Sequence, residues 1–524
     1  MRSGDARDAF LNATPTVLLC SVPLLLAAVV GATVLDGGFV YDDPSALAHN
    51  PIVNGQVPAW EAFTRDFWGR PWSHRFTTWR PLTPILWAGL WQWFGGDPLP
   101  YRALSLLLHV ATVAMSMLFV YRLKPSVGRT AAVGTLFALH PLNTEAVSAI
   151  VAQADMLSFS LVLGASTIAL GSQTVRTGVL CALVLLLGTL FKESAVIFTP
   201  LAALLLLLRP GRPRARWAAT LPVVVVGVVV VSFQLALPRA PGISMITSNL
   251  AYHAEGGMRL LLGLHNIGRA LVMTVWPRPI VPNHGYAALE LQPDVLIPCA
   301  TMGGVLLVVG LVTGAWAIKR HRLDWIAALS FLYAPALLQS HLLIRLITDL
   351  AERLLYPSTL GISMLASAAI FHFLRRPAMR VGIVGACALV FFAASYSARR
   401  AWTQEDALWT YAVRTEPRAA IHHHNVSNTY FRSGELALGA YHRLLHLYLL
   451  RRFPDPVPWE LVDATESLPV TERFTEMPAV LSPDDPCGLI RAFVAEARQY
   501  EPLYEHILRH WPQRYPSCGP WPDR

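Results

Sequence analysis

The stretch that decides the fold is Leu296–Ile318, LIPCATMGGVLLVVGLVTGAWAI, which contains no charged side chain. About 20 apolar residues in a helix span the hydrocarbon core of a bilayer. Similar windows occur at Val17–Leu35 and Trp325–Ile344. The chain of 524 residues is 54% hydrophobic and 14% charged, with a mean hydropathy of +0.43, whereas soluble domains carry about 25% charged residues. The sequence therefore predicts an all-α polytopic membrane protein.

Lysine and arginine indicate the orientation of the spans, because short loops rich in them stay on the cytoplasmic side. The net charge of +9 therefore indicates the orientation of the spans before it indicates affinity for nucleic acid. If all these loops are cytoplasmic, about eleven spans result, with a cytoplasmic N-terminus and everything after residue 398 outside. The spans are expected at residues 16–35, 101–121, 129–142, 156–171, 176–191, 194–208, 217–237, 296–318, 324–343, 355–374 and 381–398.

Two further apolar segments are expected not to span. Leu82–Phe94 is short and rich in tryptophan, which prefers the membrane interface, so we expect it to lie on the outer surface. Met258–Trp276 carries side chains that are costly in a lipid-facing helix, among them His265, Asn266 and Arg269. This segment is expected to be interfacial or packed against protein.

Two adjacent acids, Asp42 and Asp43, follow the first span in FVYDDPSALAHN, Phe39–Asn50. Carboxylates just outside an apolar helix suit a membrane enzyme, but Asp also commonly begins an ordinary turn. Neighbouring residues in an extended loop point to opposite sides. One acid is therefore expected to face a cavity, while the other orients the loop or binds a cation.

The segment His140–Asp155, HPLNTEAVSAIVAQAD, follows a predicted span that should end at Pro141. Helical spacing sets Glu145, Ser148 and Asp155 on one face of a short amphipathic helix. That face could line an outer cavity, or it could be the solvated face of an interfacial helix.

Charged pairs stand at two further span ends, Lys192–Glu193 and Glu352–Arg353. Each could be a mutual ion pair, or its cation could hold a phosphate. Arginine binds phosphate through a bidentate fork, so Arg353 and Arg80 are stronger candidates than Lys192.

Other motifs give weaker indications of function. Consecutive histidines in the tract His422–His424 point in different directions on a helix, which disfavours a metal site. No phosphate-binding glycine loop or nucleophile elbow occurs in a fitting context. Cys487 and Cys518 lie in the predicted outer tail, where an oxidising compartment would allow a disulfide.

A family resemblance rests on motifs in a fixed order. They are FVYDD…N (39–50), WRPLTPILW (79–87), ALHPLNTEAV…AD (138–155), FKE (191–193) and AERLLYPSTLG (351–361). The chain resembles the transmembrane and TPR-containing O-mannosyltransferases and their bacterial relatives, in the GT-C superfamily. Residues 399–441 resemble that family's entry into its first TPR units. Gln153-Ala154 departs from the family's usual Gly-Arg.

The resemblance implies a GT-C-type bundle over residues 1–398, whose first outer loop, 36–100, holds the acids and an interfacial helix. It also implies a TPR-like helical segment over 399–450, followed by an outer extension over 451–524. High arginine and alanine with little lysine is typical of a GC-rich bacterium. We therefore expect a bacterial inner membrane protein with a periplasmic C-terminal domain.

The implied activity is glycosyl transfer, mannosyltransferase-like, from a polyprenyl-phosphate-linked sugar to a protein or glycan hydroxyl on the outer face. It would invert the anomeric carbon, with an Asp as general base. A divalent cation is possible but not required, and no nucleic-acid partner is expected. The implied catalytic residues are Asp42 and Asp43. The implied phosphate-binding residues are Arg80, Lys192 and Arg353. The implied sugar-binding, acceptor-binding or supporting residues are His49, His140, Glu145, Asp155, Glu193 and Glu352.

Two other classes of protein fit part of the pattern. Polar groups in a membrane cavity also serve transporters or flippases of lipid-linked saccharides, although no internal repeat is apparent in the sequence. An inactive scaffold that presents the TPR-like tail to a partner is the other alternative.

Overall fold

The computed structural model describes residues 19–72, 78–237, 249, 254–284, 293–346, 348–451 and 487. These residues form helices and short 3-10 turns, and no β-strand occurs among them. The predicted extension 451–524 lies outside the described residues except for Arg451 and Cys487. The helices are α1 Leu19–Ala32, α2 Asp43–Ala46, α3 Leu82–Phe94, α4 Pro98–Leu123, α5 Val127–Leu139, α6 Thr144–Ser148, α7 Gln153–Ala169, α8 Val175–Phe191, α9 Thr199–Leu207, α10 Pro213–Ala236, α11 Gly256–Val275, α12 Pro293–Lys319, α13 Leu323–Leu338, α14 Tyr356–Phe373, α15 Pro377–Ala401, α16 Glu405–Thr415, α17 Ala420–Ser433 and α18 Leu436–Arg451.

Six of the described helical segments are long and apolar enough to cross a membrane. They are α4, α7 with the 3-10 turn before it, α10, α12, α14 with the turn before it, and α15. Shorter apolar helices are α1, α5, α8, α13, and α9 with its preceding turn. All of these segments coincide with expected spans. The prediction of an all-α polytopic membrane protein is confirmed, while the number of crossings stays a prediction.

The two segments expected not to span are helices with different surroundings. α3 buries Trp87 completely, whereas Trp93 at its other end is exposed. On α11 the polar side chains face protein: Asn266 is buried and donates a hydrogen bond to Asp349 at 2.8 Å. A helix that contacts protein through its polar side chains avoids the cost of exposing them to lipid.

Packed aromatic rings around Phe159 of α7 form the centre of the bundle. The Phe159 ring centroid lies 5.5–6.4 Å from those of Phe137, Phe198, Phe331 and Tyr356, which come from four other helical segments. Such rings attract one another edge to face and fill space without voids. They therefore fix the relative positions of α5, α7, α9, α13 and α14.

This packing has a consequence for the charged residues that precede the rings. Asp155 lies one helical turn before Phe159, Glu193 begins the 3-10 turn that ends at Phe198, and Arg353 lies just before Tyr356. Because the rings meet, the helix starts that carry these charges are brought to one end of the bundle.

Candidate active site

Asp43 anchors the loop after the first span. Its carboxylate is fully buried and accepts hydrogen bonds from the backbone N–H of Val40 at 3.2 Å and of Val151 at 3.0 Å. Burial raises the pKa of Asp43 to about 7, although these N–H groups and the nearby Arg102 guanidinium act in the opposite direction. With both oxygens engaged, Asp43 holds the loop against the 3-10 turn Ile150–Ala152.

This burial predicts a pH-dependent stability. The pKa of Asp43 is raised from 3.8 to about 7 on folding. Its protonated form therefore favours the folded state, a contribution present below about pH 4 and lost as the pH rises through about 7. We expect the melting temperature to fall between about pH 4 and 7, and to fall less steeply in Asp43→Asn. Thermal unfolding in detergent measures both slopes, and equal slopes would contradict the assignment.

Asp42 has different surroundings from its neighbour. Its side chain is 29% exposed, and its Oδ2 lies 3.9 Å from Nη2 of Arg353. Within the described part of the chain, no hydrogen bond to this carboxylate is formed. Loss of water around the loop raises the pKa of Asp42, and Arg353 opposes the rise. The two adjacent acids are thus separated into one anchored carboxylate and one accessible carboxylate.

Arg353 connects Asp42 to a second acid, Glu145 of α6. Its Nη1 contacts Oε1 of Glu145, and its backbone N–H donates to Oε2 at 2.9 Å. Glu145 is completely buried. A buried carboxylate is stable only when paired and hydrogen-bonded, so Glu145 fixes the guanidinium that faces Asp42.

The two charged residues of the FKE motif pair with different partners. Lys192 contacts Asp155 at 2.5 Å, and both side chains are buried. Glu193 instead accepts a bidentate pair of hydrogen bonds from Arg80, each 2.6 Å long. Lys192 has an extended backbone, with φ −155° and ψ 127°, so its side chain and that of Glu193 point in different directions. The alternative that Lys192 and Glu193 form an ion pair with each other is therefore wrong.

Seven of these side chains interact electrostatically across the site, and we call them the charged cluster: Asp42, Arg80, Glu145, Asp155, Lys192, Glu193 and Arg353. Asp155 acts on both Arg80 and Arg353, and Arg80 acts on Asp42. The cluster contains more carboxylates than cations. Each cation has one close carboxylate partner, which leaves Asp42 as the acid with the weakest partner.

Among the described residues, His49, His140 and Glu352 form no hydrogen bond or ion pair with the charged cluster, although the charge of Glu145 acts on Glu352. His49 is exposed. His140 is buried and connects the carbonyl of Thr274 to the N–H of Leu142. Glu352 is buried and accepts from His284 at 2.9 Å and from the N–H of Val281 at 2.8 Å.

The amphipathic helix predicted over the segment 145–155 is wrong. The chain forms the short helix α6, a 3-10 turn at Ile150–Ala152 and then α7, and every residue from 145 to 155 is buried. The helix breaks at Ala149, whose backbone is extended with φ −80° and ψ 127°, and the Val151 N–H beyond the break donates to the carboxylate of Asp43. A segment that contacts the Asp43 loop on one side and Arg353 on the other has no solvated face.

The histidine tract contributes packing contacts. His422 Nε2 lies 2.9 Å from the carbonyl oxygen of Asn283, and His423 stacks on His442 with ring centroids 5.1 Å apart. His424 Nδ1 lies 2.7 Å from Nη1 of Arg443. In the described ranges, no group of three or more His, Cys, Asp or Glu side chains could hold a metal ion.

Two residues that shape the site, Arg102 and Gly37, were not singled out from the sequence. Arg102 of α4 is buried and donates to the carbonyls of Gly38, Ser148 and Trp402. It lies so close to Gly37 that a Cβ there would be 2.6 Å from its guanidinium carbon. An arginine inside a predicted span was a usable signal, because buried cations in membranes need partners.

Known proteins resemble this chain over part of its length. It is 37% identical over 135 residues to Protein O-mannosyl-transferase Tmtc1 of Drosophila melanogaster, covering 25% of this chain and 16% of that protein. Tmtc2 of the same organism is 38% identical over 135 residues, 25% of this chain and 14% of that protein. Protein O-mannosyl-transferase F38B6.6 of Caenorhabditis elegans is 32% identical over 179 residues, 32% of this chain and 25% of that protein.

The chain thus spans a quarter or less of the length of these curated relatives. No family model matches it, and no solved structure matches it at a significant level. Over the aligned part, the chain is similar to protein O-mannosyl-transferases, as its motifs indicated.

Proposed function

We propose that the chain is a membrane glycosyltransferase that moves a sugar from a polyprenyl-phosphate carrier to an acceptor hydroxyl, with Asp42 as the general base. The observation that carries the proposal is the contrast between Asp42 and the other acids around it, namely Asp43 and the acids of the charged cluster. Asp43, Glu145, Asp155 and Glu193 all accept close hydrogen bonds. Asp42 is accessible and accepts none within the described residues, so its carboxylate can take a proton.

The proposed reaction is a single displacement. The acceptor hydroxyl oxygen attacks the anomeric carbon, the bond from that carbon to the phosphate oxygen breaks, and the hydroxyl proton passes to Asp42. The bonding electrons leave with the polyprenyl phosphate. Attack opposite the leaving group inverts the anomeric carbon. A general base of this kind contributes about 10²–10⁴ in rate, and a raised pKa makes Asp42 a better proton acceptor than an ordinary Asp.

The departing phosphate gains negative charge, which nearby cations stabilise. We assign this role to Arg80, Lys192 and Arg353. Arg80 uses Nε and Nη2 for Glu193, Lys192 uses one contact for Asp155, and Arg353 uses Nη1 for Glu145. In the part of the chain that the structure describes, each cation therefore has a further N–H for a phosphate oxygen.

The substrates are inferred from the relatives. Their names describe mannosyl transfer to proteins, so we propose mannose as the sugar and a protein hydroxyl as the acceptor. His49, His140 and Glu352 are supporting residues in this proposal, the last two through the hydrogen bonds that hold the surrounding loops. A divalent cation is not needed for the steps above.

The proposed domains are a GT-C-type membrane domain, 1–398, a TPR-like segment, 399–450, and an extension, 451–524. We propose a cytoplasmic N-terminus and a C-terminal part on the outer face, in a bacterial inner membrane as the composition suggests. Cys487 is disulfide-bonded, and its partner lies outside the described residues. A disulfide suits an oxidising compartment.

A transfer assay tests the proposal. Purified full-length protein in nanodiscs receives polyprenyl-phosphate [³H]mannose and a peptide rich in Ser and Thr, and a parallel reaction receives GDP-[³H]mannose. We expect label on the peptide with the lipid donor only. Transfer from the nucleotide sugar alone would contradict the proposed donor.

The same preparation distinguishes the two other classes. A transporter would move the lipid-linked sugar across vesicles at a rate unaffected by Asp42→Asn or Asp43→Asn. A scaffold would give neither transfer nor translocation. Either result would overturn the enzymatic proposal.

A further inference from the structure

The C-terminal helical segment packs directly on the loop that carries Asp42. The ring centroid of Tyr41 lies 6.3 Å from that of Trp402 and 5.1 Å from that of Trp409 in α16. Val40 and Leu408 are buried in the same hydrophobic cluster. Because the residue before Asp42 is enclosed by side chains from beyond the last membrane helix, movement of α16 would displace the loop.

Glu405, the first residue of α16, makes the polar part of this contact. Its Oε2 accepts a hydrogen bond from the backbone N–H of Tyr41 at 2.7 Å. Its Oε1 accepts from Trp409 Nε1 at 3.1 Å and from Arg432 at 3.3 Å. Both carboxylate oxygens are therefore held, and the one that faces the loop is directed at the amide next to Asp42.

The backbone of Tyr41 shows what this hydrogen bond controls. Its φ is +62°, in the left-handed region that bulky residues rarely adopt. Such conformations persist only where surrounding contacts hold them, and they are frequent at functional sites. The Glu405 acceptor and the two tryptophan rings are the contacts that hold Tyr41. The direction in which Asp42 leaves the backbone depends on that conformation.

We propose that Glu405 is a positioning residue for Asp42, so that α16 of the C-terminal segment completes the active site. This inference rests on the proposed function, in which Asp42 is the base. If so, the start of the C-terminal segment both packs on the membrane domain and contributes to its catalytic function. A second contact agrees with it: His422 Nε2 of α17 lies 2.9 Å from the carbonyl oxygen of Asn283, whose side chain acts on the Tyr41 hydroxyl.

Glu405 also acts on Asp42 through its charge. The charged groups that face Asp42 are Arg353 and Arg80, which lower the pKa of its carboxyl, and Glu405 and the adjacent Asp43, which are acidic. Glu405 raises the pKa of Asp42. Neutralising Glu405 therefore lowers that pKa, and the acidic limb of the activity profile moves to lower pH. A purely structural role would not produce this shift.

The first test compares Glu405→Gln, Glu405→Ala and the control Asp406→Asn in the full chain. Asp406 is also in the first turn of α16 but is exposed. Using polyprenyl-phosphate mannose and a Ser/Thr peptide, we expect Glu405→Gln to move the acidic limb down by about 0.5–1 pH unit. Glu405→Ala should lower kcat roughly 10- to 100-fold with little change in KM for the lipid donor. Asp406→Asn should match the wild type.

The second test does not need enzymatic activity. Asp42→Cys introduces a thiol at the position of the base, and its iodoacetamide alkylation is followed against pH, with the unsubstituted chain as background. Adding Glu405→Gln should shift the alkylation midpoint to lower pH, whereas adding Asp406→Asn should not. Equal midpoints in the two double variants would overturn the inference. If the wild type transfers no sugar, the proposed function fails, while this thiol titration still decides whether Glu405 acts on position 42.

Discussion

Asp42→Asn is expected to reduce kcat for sugar transfer by about 100- to 10,000-fold, the range attributed to a general base. Asparagine has nearly the same shape but cannot accept the hydroxyl proton. Arg353 keeps its contacts with Glu145 in this variant, so the phosphate-binding side of the site should remain intact. Initial rates at saturating lipid donor measure the effect, and the KM for that donor should change little.

Asp43→Asn is the matched control for this variant. It lies next in the chain, but its oxygens accept from Val40 and Val151 and hold the loop. Its substitution should lower stability and reduce activity only as far as the loop loosens. If Asp43→Asn abolished transfer in a folded protein while Asp42→Asn remained active, the roles of the two acids would be reversed.

Arg353→Ala is expected to abolish transfer and to destabilise the fold. The variant leaves Glu145 buried without its partner, which costs about 3–5 kcal/mol for a buried pair. It also removes the cation nearest to Asp42. Transfer rates and thermal unfolding in detergent measure the two effects separately. Arg353→Lys keeps the charge but loses the fork, so intermediate activity is expected.

The double variant Arg353→Ala/Glu145→Ala separates stability from chemistry. Removing both charges avoids an unpaired buried carboxylate, so much of the lost stability should return, as for other buried pairs. Transfer should not return, because the cation remains absent. Recovery of both stability and transfer would mean that Arg353 serves only to neutralise Glu145.

The helices could be predicted from the sequence because the bilayer demands long apolar segments with no unpaired charge. The same requirement predicted that Asp42 and Asp43 lie outside the membrane, just after the first span. The division of labour between them did not follow, because it depends on the Val151 N–H, which is 108 residues away in the chain.

The partners of the ion pairs could not be predicted from the sequence either. Glu193 bonds Arg80, 113 residues away, although Lys192 is its neighbour. Packing around Phe159 decides which helix ends meet, and apolar periodicity does not specify those contacts. Gln153 illustrates the same limit. At a position where the resembling family has a different residue, its buried amide joins Trp87 to the Tyr101 carbonyl with good hydrogen bonds.

The contribution of the C-terminal segment to the site was equally hidden. Glu405 is an ordinary first-turn acid in the sequence of α16, a position that acids favour at helix N-termini. Only the fold brings it to the amide of Tyr41, 364 residues away in the chain.

The anomeric configuration of the product tests the central claim most directly. The measurement is an NMR spectrum of the glycosylated peptide formed by the wild-type protein from a β-linked polyprenyl-phosphate mannose. A single displacement with Asp42 as base predicts an α-linked mannose. A β-linked product would mean that the configuration is retained, and it would contradict the single displacement in which Asp42 activates the attacking hydroxyl.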